Sequence, residues 1–270
     1  MPAVRVIGAA DVPAAMRLKE AAGWNQTEAD WLTLLRLAPQ GCFGVDVEGE
    51  LAATATAVCY RSELAWIGMV LTHPDHRGKG LARKLMEHAL EYAEGRAAWI
   101  KLDATDMGRP LYRKLGFEDE GPIERWARPG RVGFRSRASS LPLSRSLEEL
   151  DRKAFGANRS ELLSVLGGIE CTAKPQGYAM GRAGSKATYF GPCVAQTSED
   201  AQTLVAGFLD QHAAETVYWD LLPQNSEAVR IAQESGFSPL RKLVRMARPG
   251  PAPFHHDDRL VYAIAGLEYG

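Results

Sequence analysis

The stretch Arg77-Gly78-Lys79-Gly80 combines residue types that bind phosphate groups. Its two glycines allow the backbone to turn tightly and to bring several N–H groups close to one ligand. Its two basic side chains add positive charge, and a helix that begins directly afterwards would add unpaired N–H donors and the positive end of its dipole. Together these features predict a loop that binds a pyrophosphate.

Two common phosphate-binding motifs do not fit this loop. A Walker A motif requires Ser or Thr after its lysine, whereas Gly80 follows Lys79 here. The dinucleotide-binding GxGxxG motif requires a third glycine, and Ala82-Arg83 stands where that spacing places it. The sequence therefore excludes a P-loop nucleotide site and a Rossmann dinucleotide site at this position.

The elements around the loop follow a strand–loop–helix–strand order. The nearly continuous apolar run 65–71 predicts a strand buried on both faces, and residues 81–94 place their apolar side chains on one helical face. Residues 98–102 predict the next strand, and residues 110–115 predict a short helix. This order predicts a βαβ unit whose ligand loop follows the carboxyl end of a strand.

Two segments of the first half resemble motifs of the GNAT superfamily of N-acetyltransferases. The segment from Val70 to Ala82 resembles its apolar strand followed by R-G-x-G-x-[GA] at the start of a long helix. Downstream, Leu111-Tyr112-Arg113-Lys114-Leu115-Gly116-Phe117 resembles a second element of the superfamily. The resemblance implies an α/β fold in which a mixed sheet is flanked by helices in αβα layers.

By this resemblance the chain would use acetyl-CoA as co-substrate and transfer the acetyl group by direct attack in a ternary complex. The backbone of Val70 and Leu71 would hold the pantetheine arm, and Tyr112 would donate a proton to the leaving thiolate. A phenol with an unperturbed pKa of about 10 stays protonated at neutral pH, which suits a general acid. The residues implied to hold the pyrophosphate are Arg77, Gly78, Lys79, Gly80, Leu81 and Ala82.

The chain also contains an internal repeat. The segments 115–117 and 125–130 recur 120 positions later, as 235–237 and 245–250. The strand-like segment 99–103 likewise resembles residues 217–220. These features in the same order predict two tandem GNAT-like domains at 1–135 and 136–270, with the boundary in an irregular polar stretch. The layout resembles that of bacterial proteins with two GNAT modules.

The second half lacks the features that would bind acetyl-CoA. In place of the loop it has residues 196–200, which include neither a glycine nor a basic residue. The carboxylates of Glu199 and Asp200 would oppose a pyrophosphate at that helix N-terminus, and Ala232 stands where the repeat places Tyr112. We therefore predict one acetyl-CoA site per chain and a degenerate second half that packs against the first, shapes the acceptor pocket or regulates it.

The general base is less clearly marked than the acid. Some members of the superfamily place a glutamate at the start of the buried strand, which falls at Leu64 here, with Glu63 beside it. Asp103 is the other candidate, but its repeat counterpart Asp220 belongs to the half without the loop. That favours a structural role for both aspartates, such as capping the following turn. Deprotonation of the amine through water is the alternative.

The helical segment that walls the acceptor pocket in the superfamily contains Trp24, Asn25 and Asp30 here. Trp24 could equally anchor the core, and Asp30 could pair with an acceptor ammonium or lie in solvent. We predict an N-acetyltransferase that acts on a small-molecule primary amine. An acyl-CoA-binding sensor without turnover and a protein-lysine acetyltransferase are the alternatives.

Composition and charge argue against other classes of protein. The net charge of −1 provides no field that would attract nucleic acid or an anionic membrane. No apolar run approaches the ~20 residues of a membrane-spanning helix, and the N-terminus has no signal-peptide pattern. The cysteines lie far apart and the histidines lack metal-ligand spacing, so we expect reduced thiols, no metal and a cytoplasmic location.

Overall fold

The computed structural model describes residues 2–131 and 142–270, which form a mixed α/β fold. The predicted boundary at 135 falls outside these ranges, so the division into domains 1–135 and 136–270 stays a prediction. The helices are α1 (Val12–Ala21), α2 (Glu28–Leu37), α3 (Leu81–Glu94), α4 (Arg109–Lys114), α5 (Arg145–Phe155), α6 (Ser160–Gly167), α7 (Ser198–Gln211) and α8 (Ser226–Glu234). The strands are β1 (Val4–Val6), β2 (Cys42–Val47), β3 (Glu50–Tyr60), β4 (Leu64–Thr72), β5 (Trp99–Ala104), β6 (Glu118–Arg128), β7 (Cys171–Lys174), β8 (Gly177–Arg182), β9 (Thr188–Ala195), β10 (Val217–Leu221), β11 (Ser238–Arg248) and β12 (Val261–Ala263).

The described strands form one twelve-stranded sheet in the order β1-β2-β3-β4-β5-β11-β6-β10-β9-β8-β7, with β12 paired to β9 off this path. The pairs β4–β5 and β9–β10 are parallel, and the other neighbours are antiparallel. Strand β11 comes from the C-terminal half but lies between β5 and β6. The two halves therefore exchange their last long strands and share a continuous sheet.

Three clusters of buried apolar side chains hold the helices to the sheet. Helix α3 packs on β2 to β5, and its buried side chains lie on the face that the sequence predicts. Helices α7 and α8 cover strands of the second half. The largest cluster joins α1 and α2 to α5 and α6, and thus spans both halves. The predicted fold class, a mixed sheet flanked by helices, is confirmed.

Two buried ion pairs connect the exchanged strands to the opposite halves. Arg245 in β11 donates from Nε to Asp103 in β5 at 3.0 Å. Arg125 in β6 donates from Nε to Asp220 in β10 at 2.7 Å. Both aspartate side chains are fully buried. Because the four residues occupy equivalent repeat positions, the arginine of each repeat pairs with the aspartate of the other.

The C-terminal segment after β12 returns to the first half and packs beside β4. The Trp66 indole donates to the carbonyl oxygen of Leu267 at 3.1 Å, and the Gln26 amide donates to the Glu268 carboxylate at 2.7 Å. At Gly68 a Cβ would come within 3.0 Å of the Cα of Glu268, so a larger residue would force the C-terminal segment to shift. The segment therefore forms a wall next to the part of β4 that borders the site.

Candidate functional site

A groove opens where β4 and β5 separate. Their parallel pairing joins residues 64–66 to residues 99–101 and then ends, although both strands continue. At the same place, the register between β4 and its other neighbour, β3, is irregular, and Met69 of β4 has a φ of +47°. The groove encloses about 1020 Å³, at the upper end of the range of about 300–1,000 Å³ for ligand pockets. It can therefore hold a long ligand.

The glycine-rich loop between β4 and α3 lies along this groove. Gly78 and Gly80 adopt φ values of +75° and +80°, in the left-handed region that favours glycine. Gly80 is the N-cap of α3, whose first N–H groups have no partner within the helix. Lys79 does not line the groove, and its Nζ lies 3.2 Å from Nδ1 of His76. The other predicted cofactor residues line it: Val70, Leu71, Arg77, Gly78, Gly80, Leu81 and Ala82.

Tyr112 lies where the groove meets a smaller cavity of about 50 Å³, and it lines both. Its ring packs edge-on against Phe117 and lies close to Gly108, where a Cβ would come within 2.7 Å of it. The hydroxyl has no hydrogen-bond partner within the described part of the chain. Burial raises the pKa of this phenol, so it remains protonated at neutral pH.

The two candidate bases lie in different places. Glu63 precedes β4, pairs with Arg152 at 3.0 Å, and lines neither the groove nor the small cavity. Asp103 lines the small cavity, but both of its oxygens accept from Arg245, at 3.0 and 3.3 Å. Burial outweighs this ion pair and raises the pKa of Asp103 to about 6. Of the two, only Asp103 shares a cavity with Tyr112.

Of the three predicted acceptor residues, only Trp24 reaches the groove and the small cavity. Asn25 is buried and donates from Nδ2 to the carbonyl oxygen of Ala187 at 2.9 Å. Asp30 is 4% exposed and accepts from Nε of Arg182 at 2.8 Å. The alternative in which Asp30 lies in solvent is therefore wrong, because its carboxylate is buried and paired inside the protein.

Several residues that line the site were not predicted from the sequence. Arg241 and Leu243 of β11 and Leu267 of the C-terminal segment line the small cavity, although all three belong to the second half. Met107, in the loop after β5, lines the groove and is 74% exposed. The strand exchange brings β11 to the site, and similar repeat sequences carry no signal that distinguishes exchanged from unexchanged strands.

In the second half, the chain itself fills the equivalent cleft. Strands β9 and β10 pair in parallel for three residues and then separate, as β4 and β5 do. Strand β12 enters the gap and pairs Val261 with Val194, the repeat counterpart of Val70. The Trp219 indole in β10 donates to the carbonyl oxygen of Tyr262 at 2.8 Å. In the second half, the counterparts of the backbone groups that border the groove are thus already paired with the chain itself.

The connection before α7 also differs from the loop before α3. It consists of Gln196 and Thr197 alone, and the Thr197 hydroxyl accepts from the backbone N–H of Asp200 at 3.1 Å. Glu199 and Asp200 occupy the first turn of α7, where they complement the positive end of the helix dipole. An acidic cap therefore stands at the position of the glycine-rich loop.

Neither metal-binding clusters nor candidate membrane spans occur in the described ranges. Within residues 2–131 and 142–270, no group of three or more His, Cys, Asp or Glu side chains could hold a metal ion. None of the helices in those ranges combines the length and the apolar character needed to cross a bilayer.

Comparison with known proteins relates both halves to the same family. The model of the acetyltransferase (GNAT) family matches residues 14–117, and an acetyltransferase (GNAT) domain model matches residues 147–263. The chain is 27% identical over 206 residues to a Bacillus subtilis protein named uncharacterized N-acetyltransferase YitH. The aligned region covers 70% of this chain and 72% of that protein. It is 39% identical over 82 residues to streptothricin acetyltransferase of Streptomyces lavendulae. That aligned region covers 27% of this chain and 41% of that protein.

The fold is also similar to that of a solved structure. A crystal structure of a Pyrococcus horikoshii protein matches with a TM-score of 0.87, covering 99% of this chain and 95% of that one. The sequence identity is 20%, so this likeness supports the fold alone. With a GNAT model matched in each half and a groove bordered by the glycine-rich loop, the chain belongs to the GNAT family of acetyltransferases, as a tandem protein.

Proposed function

We propose that the chain transfers the acetyl group of acetyl-CoA to a primary amine of a small molecule, by direct attack of the amine on the thioester. The observation that carries this proposal is Tyr112, which lines both the groove and the small cavity and whose hydroxyl has no hydrogen-bond partner among the described residues. In this proposal the groove holds the co-substrate and the small cavity holds the amine.

The groove offers acetyl-CoA both charge and backbone contacts. Gly78, Gly80 and the N-terminus of α3 supply N–H donors for a pyrophosphate, and Arg77 supplies a positive charge. The backbone of Val70 and Leu71 lies in the part of β4 that has separated from β5, where it can pair with the amide groups of the pantetheine arm. These residues fit the co-substrate without any metal ion.

The reaction needs one proton donor and one proton acceptor. Acetyl-CoA supplies the acetyl group as a thioester. The amine nitrogen bonds to the acetyl carbon while the carbon–sulfur bond breaks, and Tyr112 donates its phenol proton to the departing sulfur. The surplus proton of the amine leaves to water, which later reprotonates Tyr112. Asp103 stays paired with Arg245 and holds β5 against β11.

The walls of the small cavity favour a small acceptor over a protein. Leu243 of β11 and Leu267 of the C-terminal segment border the cavity from the second half. Its volume of about 50 Å³ admits only a few water-sized groups. One relative is named for acetylation of streptothricin rather than of a protein.

Replacement of Tyr112 by Phe tests the proposal. We expect Tyr112→Phe to lower kcat by about 10²–10⁴ and to leave the affinity for acetyl-CoA nearly unchanged, because only proton donation is lost. Acetyl-CoA consumption over a panel of amines, amino acids and polyamines gives kcat, and calorimetry gives the affinity. Tyr92→Phe is the matched control, because Tyr92 lies on α3, packs against Phe43 and does not line the groove.

Wild-type turnover by Tyr112→Phe would remove this residue as the acid. Binding of acetyl-CoA to the folded protein should raise the melting temperature when its concentration greatly exceeds the dissociation constant. Absence of this increase would contradict the proposed function as a whole.

A further inference from the structure

Arg241 is a charged residue of β11 that the proposed transfer does not use. Along β11 the residues Arg241, Leu243 and Arg245 alternate, so their side chains lie on the same face of the strand. Arg245 pairs with Asp103 on this face, and Leu243 lines the small cavity. Arg241 lines both the small cavity and the groove, as Tyr112 does.

Among the described residues, the guanidinium of Arg241 has no ion-pair partner. No hydrogen bond or ion pair joins it to a residue of the described ranges 2–131 and 142–270. Its cross-strand neighbour in β6 is another arginine, Arg125. Burial and the like charge of Arg125 lower the pKa of Arg241. The carboxylates of Asp220 and Asp106 attract Arg241 from a distance, but no direct ion pair among the described residues balances its charge beside the cavity.

The nearby carboxylates are engaged elsewhere or lie outside the small cavity. Asp220 accepts from Arg125 at 2.6 Å, and Asp103 accepts from Arg245 at 3.0 Å. Asp106 lies on the exposed loop after β5 and lines the groove but not the small cavity. The small cavity therefore has a surplus positive charge, which a ligand anion would balance.

The internal repeat shows that this arginine is not required by the framework. Arg125 and Arg245 occupy equivalent positions of the repeat, but the counterpart of Arg241 is Gly121, which has no side chain. Gly121 lies in β6 and lines neither the groove nor the small cavity. At this repeat position, a basic side chain thus occurs in β11, which reaches the site, and not in β6.

We propose that Arg241 binds a carboxylate of the acceptor, so that the preferred acceptor is an amine with a carboxylate close to the nitrogen, as in an α-amino acid. This inference rests on the proposed acetyl transfer and defines its substrate class. In a cavity of about 50 Å³, an amine that reaches Tyr112 places its nearest substituents close to Arg241. A guanidinium binds a carboxylate through two parallel N–H donors, which would also orient the amine.

Acetyl-CoA is the other ligand that could bring negative charge to Arg241. The loop N–H groups and Arg77 already provide for its pyrophosphate, and they line the groove but not the small cavity. A role in acceptor binding and a role in co-substrate binding therefore predict different kinetic effects.

The test compares L-amino acids with their carboxamides as acceptors for the wild-type protein and Arg241→Gln. We expect the wild-type protein to prefer the free acids. We expect Arg241→Gln to raise the KM of the acids by about 10- to 100-fold, the effect of losing a charge-assisted hydrogen bond. The KM of the carboxamides and of acetyl-CoA should stay nearly constant. Arg145→Gln, at a side chain that is 92% exposed, is the matched control, and Arg77→Ala is the comparison for weakened acetyl-CoA binding.

A second measurement does not depend on turnover. With saturating CoA, N-acetyl-L-amino acids should raise the melting temperature of the wild-type protein and of Arg145→Gln, but not of Arg241→Gln. Equal use of acids and carboxamides by the wild-type protein would overturn the inference, as would an Arg241→Gln effect on acetyl-CoA like that of Arg77→Ala. If no amine is acetylated but the shift by N-acetyl-amino acids depends on Arg241, the proposed transfer fails while the carboxylate site stands. If the shift is also absent, both fail.

Discussion

At the scale of single residues, a comparison of Asp103 with its repeat counterpart Asp220 can distinguish a structural role of Asp103 from a catalytic one. Each is buried and accepts from an arginine of the exchanged strand, but Asp103 lines the small cavity and Asp220 does not. Removal of one partner of a buried ion pair leaves an uncompensated charge and costs about 3–5 kcal/mol. We expect Asp103→Asn and Asp220→Asn to lower the free energy of unfolding by similar amounts, and both folded variants to keep turnover.

Urea denaturation and kcat at a temperature where both variants are folded check this expectation. The pKa of Asp103 is raised to about 6, so a base at this position would make kcat/KM fall as the pH drops below about 6. A large decrease of kcat/KM in Asp103→Asn alone, with a residual kcat/KM that no longer falls below about pH 6, would show that Asp103 is the base.

At the scale of elements, the loop before α3 requires glycine at position 80 because of its backbone conformation and not because a side chain would clash. No atom lies within 4 Å of a Cβ placed at Gly80, but its φ is +80°. An L-residue in this conformation costs about 1–2 kcal/mol. We therefore expect Gly80→Ala to weaken acetyl-CoA binding and to lower stability by about that amount. Calorimetric titration and thermal unfolding measure the two effects.

Gly207→Ala is the matched control for this prediction. Gly207 lies inside α7 with equally open surroundings and no positive φ, so alanine there should stabilise the helix by up to about 1 kcal/mol. Its affinity for acetyl-CoA should equal that of the wild-type protein. If Gly80→Ala behaves in the same way, the left-handed turn is not needed for binding.

The same elements show what sequence periodicity can and cannot predict. The apolar run 65–71 becomes β4, and the helical face of 81–94 becomes α3 with the predicted bounds, because local spacing and burial determine both. Periodicity does not predict that β11 lies beside β5 or that β12 fills the second cleft. These pairings depend on contacts between distant segments, and β6 and β11 have similar sequences. Hence Arg241, which reaches the site only through the exchange, was missed.

At the scale of the whole molecule, the C-terminal half both completes the first cleft and closes its own. Strand β11 and the C-terminal segment border the small cavity. Strand β12 pairs with the edge of β9 that faces β10, whereas the corresponding edge of β4 has no partner strand among the described residues. The shared sheet and the largest apolar cluster connect the halves. We therefore expect a single cooperative unfolding transition rather than two.

A chain that ends at residue 131 tests this dependence. It lacks β11, so the edge of β5 loses its partner strand and the buried Asp103 loses Arg245. An unpaired buried charge and an open strand edge should prevent stable folding, and we expect aggregation with no binding of acetyl-CoA. Co-expression with residues 132–270 should restore a complex, because β6 and β11 then interleave again. Size-exclusion chromatography, circular dichroism and calorimetry follow these outcomes. A folded, monomeric 1–131 that binds acetyl-CoA as tightly as the full chain would show that the first half is independent.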